Sequence, residues 1–128
     1  MRTMTPPPPT GSPMKRGEIY FADLSPTVGS PTKTNLNKKR PVLVVSNDAN
    51  NRAASTITVL PITSNVTNVF PFEIRLATKD CGLPKDSKAQ AQQIRTISKE
   101  RIAGRAVGRL AANKMALVDA AIRLHLGL

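Results

Sequence analysis

The chain has too few cysteines and histidines for an internal disulfide or for a cysteine–histidine metal site. Its 128 residues include one cysteine, Cys81, and one histidine, His125. A single cysteine excludes an internal disulfide and suits a reducing, cytoplasmic location. There is no cysteine–histidine cluster, no close carboxylate pair and no glycine-rich phosphate loop, so the sequence predicts neither a metal nor a cofactor. We interpret Cys81 as a turn residue and His125 as a partly buried helix-end residue.

Aromatic residues, long apolar runs and negative charge are also scarce. The chain has no tryptophan, one tyrosine and three phenylalanines, which argues against a protein that binds single strands mainly by aromatic stacking. No apolar stretch approaches the length of a membrane span, so no membrane partner is predicted. Lysine and arginine number 19 against 8 acidic residues, giving a net charge of +11. This excess favours an anionic partner such as nucleic acid or an acidic protein.

The length is sufficient for one domain with a single modest core. We expect this domain at residues 14–128, after a disordered proline-rich lead at residues 1–13. The lead contains four consecutive prolines and no apolar segment typical of a secretion signal. A short polyproline docking segment is the alternative interpretation of the lead.

The apolar pattern predicts a mainly β fold with one good helix. Strands are predicted at residues 18–23, 42–46, 56–62 and 72–76, with weaker ones at 87–97 and 105–110 and a helical turn at 98–102. The run at 42–46 is continuously apolar, as in a strand buried on both faces. The polar stretch 88–92 is expected at a sheet edge or in a ligand groove. We therefore predict a small, strongly curved antiparallel sheet or barrel with a C-terminal α-helix.

Side-chain directions follow from the same patterns. Strict alternation at residues 72–76 predicts Phe72, Ile74 and Leu76 inward and Glu73 and Arg75 outward. The final helix is predicted to begin at an Asn113 N-cap and to end at Gly127. Its apolar face consists of Met115, Val118, Ile122 and either His125 or Leu126, which recur at helical spacing.

One strand begins with a cation, which a buried strand does not need. Arg40 opens the run 40–48 and follows the polar loop 29–39, which contains Lys33, Lys38 and Lys39. A guanidinium at the rim of a sheet is suited to grip two oxygens of a phosphate. Thr63 stands at the end of the next apolar run, so Arg40 and Thr63 together suggest a site for RNA. The alternatives are that Arg40 holds Asp23 or Asp48 and that Thr63 is an ordinary strand residue.

These segments resemble the MazF/PemK family of toxins from bacterial toxin–antitoxin modules. The resemblance is carried by residues 16–26, 28–30 and 40–48, followed by 61–64, 86–87, 93–97 and 124–128 in the family's order. It covers residues 15–128. The loop 31–39 is longer and more basic than the glycine-containing loop of many members.

The resemblance implies an SH3-like β-barrel, a homodimer, cleavage of single-stranded RNA at a short sequence, and a cognate acidic antitoxin. It implies that Arg40 and Thr63 are catalytic, that Gly29 and Ser30 lie in a loop closing over RNA, and that Gln93 lies on a strand of the RNA-binding face. The other candidate RNA contacts are Lys38, Lys39, Ser64 and Ser87. The lysines would raise affinity through counterion release.

The chemistry of such a site can be argued from the residue types. Without a metal, the ribose 2′-OH attacks the adjacent phosphorus and leaves a 2′,3′-cyclic phosphate and a 5′-OH. Arg40 would stabilise the charge that develops on the phosphate, and Thr63 would donate a hydrogen bond to it. A guanidinium is a poor acid and a worse base, so Arg40 is assigned to charge stabilisation. Two other functions remain open: a gyrase-binding toxin of the same fold, and a noncatalytic basic barrel that binds nucleic acid.

Overall fold

The computed structural model describes residues 13–25 and 39–128. In this part of the chain, seven strands form an antiparallel sheet. They are β1 (Glu18–Ala22), β2 (Arg40–Val44), β3 (Thr56–Thr63), β4 (Glu73–Leu76), β5 (Ser87–Gln90), β6 (Arg95–Ser98) and β7 (Ile102–Arg109). The α-helices are α1 (Asp48–Ala53), α2 (Thr78–Cys81) and α3 (Ala112–Leu126), and 3₁₀ turns cover Ala91–Gln93 and Lys99–Arg101. The expected lead, apart from Pro13, and the loop residues Gly29, Ser30, Lys33 and Lys38 lie outside the described residues.

Strand β3 is the centre of the sheet. The order is β4-β5-β3-β2-β1-β7, and β6 pairs with β3 beside this path. Along one edge β3 pairs with β2, while along the other its first half pairs with β6 and its last two residues pair with β5. The end of β3, where Thr63 stands, is therefore flanked by β2 on one side and β5 on the other.

The core lies on both faces of the sheet. Val42 and Val44 of β2 belong to one buried cluster, and Leu43 belongs to the other, which α3 covers with Met115 and Val118. Both faces of β2 are thus buried from Val42 to Val44, which explains why this part of its sequence is a continuous apolar run. The predicted mainly β fold with a C-terminal helix is confirmed.

Several local predictions about the helices were wrong. Helices α1 and α2 were not predicted, although Asn47 caps α1 by accepting from the backbone N of Asn50 at 2.8 Å. Helix α3 begins at Ala112 without a side-chain cap, so Asn113 is not the N-cap. Cys81 is a fully buried helical residue rather than a turn residue. His125 is exposed, and its ring lies 6.3 Å from that of Phe72.

The second half of the sheet also differs from the prediction. Residues 87–97 form two strands, because the 3₁₀ turn Ala91–Gln93 separates β5 from β6, so Gln93 is not on a strand. Strand β5 lies between β4 and β3 and is not an edge. Glu73 was predicted to face outward but is only 6% exposed, whereas Arg75 is exposed as predicted. Glu73 is buried because Lys88, Gln90 and Gln92 cover its carboxylate.

Candidate active site

The register of β2 and β3 brings Arg40 and Thr63 together. Val42 pairs with Pro61, and continuing this register by two residues places Arg40 across from Thr63. Directly opposed residues in an antiparallel pair project to the same face. Both residues line a cleft of about 210 Å³ at this end of the sheet, together with Ser64 and Ser87. The rest of its wall is formed by Phe21, Pro41, Ile62, Leu83, Pro84 and Lys85.

The guanidinium of Arg40 has no ion-pair partner among the described residues, and the side chain is exposed. The two carboxylates considered as partners are engaged elsewhere. Asp23 accepts from the backbone N and the hydroxyl of Ser25, both at 3.0 Å. Asp48 accepts from the backbone N of Arg16 at 2.8 Å. The alternative that Arg40 is a strand-end ion pair is therefore wrong, and its charge remains available to an anion in the cleft.

Thr63 is half-buried at the last position of β3. Its Oγ1 accepts a hydrogen bond from the backbone N of Asn65 at 3.1 Å, which fixes the start of the following segment. A hydroxyl that accepts in this way still has its own hydrogen to donate. The geometry suits a donor to an oxygen bound between Thr63 and Arg40.

The two serines of the cleft wall differ in exposure. Ser87 is 3% exposed, and its hydroxyl donates to the carbonyl oxygen of Lys85 at 2.9 Å, which stabilises the turn before β5. Ser64, which directly follows β3, is exposed. Lys85 is an exposed cation of the cleft wall that was not identified from the sequence. Its signal was its place in the short turn just before β5.

Other predicted contacts do not line this cleft. Lys39 borders a separate cleft of about 520 Å³, with Asp23, Glu100 and Arg101 in its wall. Gln93 is exposed and absent from the wall of the Arg40 cleft. Within residues 13–25 and 39–128, no group of three metal-ligating side chains occurs. In the same ranges, none of the helices has the length and apolarity needed to cross a membrane.

Two arginines hold residues 23–25, which directly precede residues 26–38, in place. Arg101 donates through Nη1 to the carbonyl oxygens of Asp23 and Ser25, at 3.0 Å and 2.6 Å. Arg95 donates to the carbonyl oxygen of Leu24 at 3.3 Å. Because Ala22 also pairs with Arg40 across β1 and β2, the chain leaves and re-enters the sheet next to the cleft.

A buried ion pair lies on the other side of Thr63. Lys88 of β5 pairs with Thr63, and its Nζ lies 2.9 Å from Oε1 of Glu73. The two side chains are 9% and 1% exposed. Burial alone would raise the pKa of Glu73, but hydrogen bonds outweigh it and lower this pKa to about 2. The donors are Lys88, Gln92, Gln90 and the backbone N of Phe70.

Known proteins match nearly all of this chain. Endoribonuclease MazF9 of Mycobacterium tuberculosis is 46% identical over 120 residues, which are 90% of this chain and 98% of that protein. Endoribonuclease EndoA of Bacillus subtilis is 39% identical over 116 residues, covering 90% and 96% of the two chains. A solved endoribonuclease from a mycobacterial species, in complex with its cognate antitoxin, superposes with a TM-score of 0.72 at 24% identity, covering 90% and 96%. This last likeness shows the fold.

The family comparison covers the whole sheet and the terminal helix. The sequence profile described as "PemK-like, MazF-like toxin of type II toxin-antitoxin system" matches residues 15–126. This range includes every strand and the Arg40 cleft. The resemblance of the sequence motifs is thereby confirmed, and the chain belongs to the PemK-like and MazF-like toxins of type II toxin–antitoxin systems.

Proposed function

We propose that this toxin is a metal-independent endoribonuclease that cuts single-stranded RNA at a short sequence and thereby inhibits translation and growth. The observation that carries the proposal is Arg40, an exposed cation without an ion-pair partner in the described residues, standing across from Thr63 in a cleft. The names of MazF9 and EndoA favour RNA cleavage over the gyrase-binding and noncatalytic alternatives.

The proposed reaction uses the RNA's own nucleophile. The ribose 2′-OH gives up its proton to water and its oxygen forms a bond to the adjacent phosphorus. The bond from phosphorus to the 5′-oxygen breaks and that oxygen takes a proton from water, giving a 2′,3′-cyclic phosphate and a 5′-OH. Negative charge grows on the non-bridging oxygens, where Arg40 and the Thr63 hydroxyl act as preorganised donors. Lys85 adds positive potential at the wall of the cleft. Arg40 stabilises charge and is not assigned a proton-transfer role, because a guanidinium is a poor acid and a worse base.

We also propose that the toxin acts as a cytoplasmic homodimer and is inhibited by a cognate acidic antitoxin. Two copies would join their basic surfaces into one longer track for RNA. The net charge of +11 favours both an acidic protein and a nucleic acid as partners. A cognate antitoxin accompanies the mycobacterial endoribonuclease named above.

A 2′-deoxy substitution tests the reaction directly. End-labelled RNA that the protein cuts in the presence of EDTA is resynthesised with one deoxyribose before the scissile phosphate. We expect cleavage to stop and binding to weaken little, because affinity comes mostly from phosphate contacts. The matched control carries the deoxyribose elsewhere and is cut normally. Cleavage of the first oligonucleotide, or a 3′-OH product, would contradict the mechanism, and failure to cut any RNA would contradict the function.

A further inference from the structure

One phenylalanine ring remains exposed in a protein that has only three phenylalanines, one tyrosine and no tryptophan. Tyr20 is buried, and Phe21 and Phe72 are half-buried against the core, whereas Phe70 is 49% exposed. A single exposed apolar side chain is ordinary in itself. Phe70 differs because the ring is fixed from several sides.

The contacts of Phe70 hold the ring in place before any ligand arrives. It stacks on Phe72 with the ring centroids 5.6 Å apart, and Phe72 is packed against the core. The Nζ of Lys88 lies 5.8 Å from the centroid of the Phe70 ring, a cation–π contact. The backbone N of Phe70 donates to Glu73 at 3.1 Å, and its carbonyl oxygen accepts from the backbone N of Glu73 at 2.8 Å. Little ordering entropy remains to be lost when a ligand stacks on this ring.

The ring is held in part by a residue from the face of the sheet on which the candidate catalytic hydroxyl stands. Lys88 and Thr63 are directly paired, so their side chains project to one face. Lys88 reaches the ring of Phe70 from that face, whereas Phe72 contacts the ring from the face that packs on the core, so the ring stands where the two faces meet. The segment 64–72, which begins beside Thr63, brings Phe70 back to Lys88. The charge of Lys88 is already matched by Glu73, so it supports the ring and leaves phosphate binding to Arg40.

We propose that Phe70 is a stacking site for one unpaired base of the RNA, flanking the phosphate held by Arg40 and Thr63. This inference rests on the proposed function, because it needs a single strand bound in the cleft. Phe70 is outside the wall of the Arg40 cleft, so a base on its ring would belong to a nucleotide next to the bound phosphate rather than inside the cleft. Fixed, half-exposed rings of this kind hold bases without reading their edges. One such ring contributes affinity at one nucleotide, in keeping with a chain that has few aromatics.

The test compares three variants of the full chain, each checked for folding by thermal unfolding. Phe70→Leu keeps an apolar side chain but removes the flat face, Phe70→Tyr keeps the face, and Val69→Ala changes the exposed neighbour on the same segment. The probe is the uncleavable 2′-deoxy oligonucleotide, intact or with one abasic nucleotide at each position in turn. Affinity is measured by fluorescence anisotropy, and cleavage of the all-ribose RNA gives kcat and KM.

For the wild type, we expect one abasic position near the scissile phosphate to weaken binding about 5- to 150-fold. Phe70→Leu should weaken binding of intact RNA by a similar factor and lose the effect of that abasic position, with KM changing more than kcat. Phe70→Tyr and Val69→Ala should resemble the wild type. The inference is overturned if Phe70→Leu binds and cuts like the wild type. It is equally overturned if Phe70→Leu loses the same factor in affinity for every abasic oligonucleotide, whichever position is abasic. It is also overturned if Phe70→Leu changes only self-association or antitoxin binding. A wild type that cuts no RNA would instead refute the proposed function.

Discussion

Two cations flank Thr63, one on each neighbouring strand, and the fold treats them in opposite ways. Arg40 stands across from it on β2, exposed and without an ion-pair partner in the described part of the chain, whereas Lys88 stands across from it on β5, buried against Glu73. The difference arises from what the chain places nearby. Segment 64–72 and strand β4 cover Lys88 with acceptors, while the cleft leaves Arg40 open to solvent. Residue type alone therefore does not show which cation is available to a ligand.

Removing the buried cation should have the largest effect on stability. Lys88→Met leaves the Glu73 carboxylate buried without its ion pair, which we expect to cost about 3–5 kcal/mol of unfolding free energy. Urea unfolding of the variant and the wild type measures this loss. The double variant Glu73→Gln/Lys88→Met should be more stable than Lys88→Met alone, because no unpaired charge is buried. Equal stability of the two variants would show that the pair is not coupled.

Removing the exposed cation, Arg40, should lower the cleavage activity and leave the stability nearly unchanged. Arg40→Ala should slow cleavage about 10²- to 10³-fold, the usual cost of losing one preorganised donor to a developing anion, and leave the unfolding free energy near that of the wild type. Single-turnover cleavage and urea unfolding measure the two quantities. Arg52→Ala is the matched control, since it removes the same charge from an exposed position on α1. If both arginine variants lose activity equally, only net charge matters and the assignment of Arg40 fails.

The third effect we expect is a dependence of stability on pH. The pKa of Glu73 is about 2 in the folded protein and 4.5 ordinarily, so the unfolded chain binds more protons between these values. The stabilisation is fully present above the ordinary pKa and is lost as pH falls toward 2. Unfolding free energies of wild type and Glu73→Gln should therefore converge as the pH falls through this range. Hydrogen bonds from Ser25 lower the pKa of Asp23, but Asp23 is present in both proteins. A constant difference between the two proteins would contradict the role of Glu73.

The sequence was informative where a local pattern determines the outcome. The apolar run of β2 predicted a strand buried on both faces, and Arg40 and Thr63 were identified from their places at the ends of two runs that pair. The catalytic roles of these two residues stay predictions. Glu73 was placed outward because alternation is local, whereas its partner Lys88 is distant in sequence. Gln93 was placed on a strand because no local signal marked the 3₁₀ turn that interrupts residues 87–97.

The hydrogen bonds by which Arg95 and Arg101 hold residues 23–25 have an evolutionary consequence. The joint between β1 and β2 is secured by contacts that do not depend on the thirteen residues from 26 to 38. Lengthening a connection between fixed ends costs little, about 0.6 kcal/mol for each doubling of its length. Insertions and charge changes can thus accumulate in this connection while Arg40 keeps its register with Thr63. Lineages of such toxins can thus diversify residues 26–38 without changing how Arg40 and Thr63 face each other.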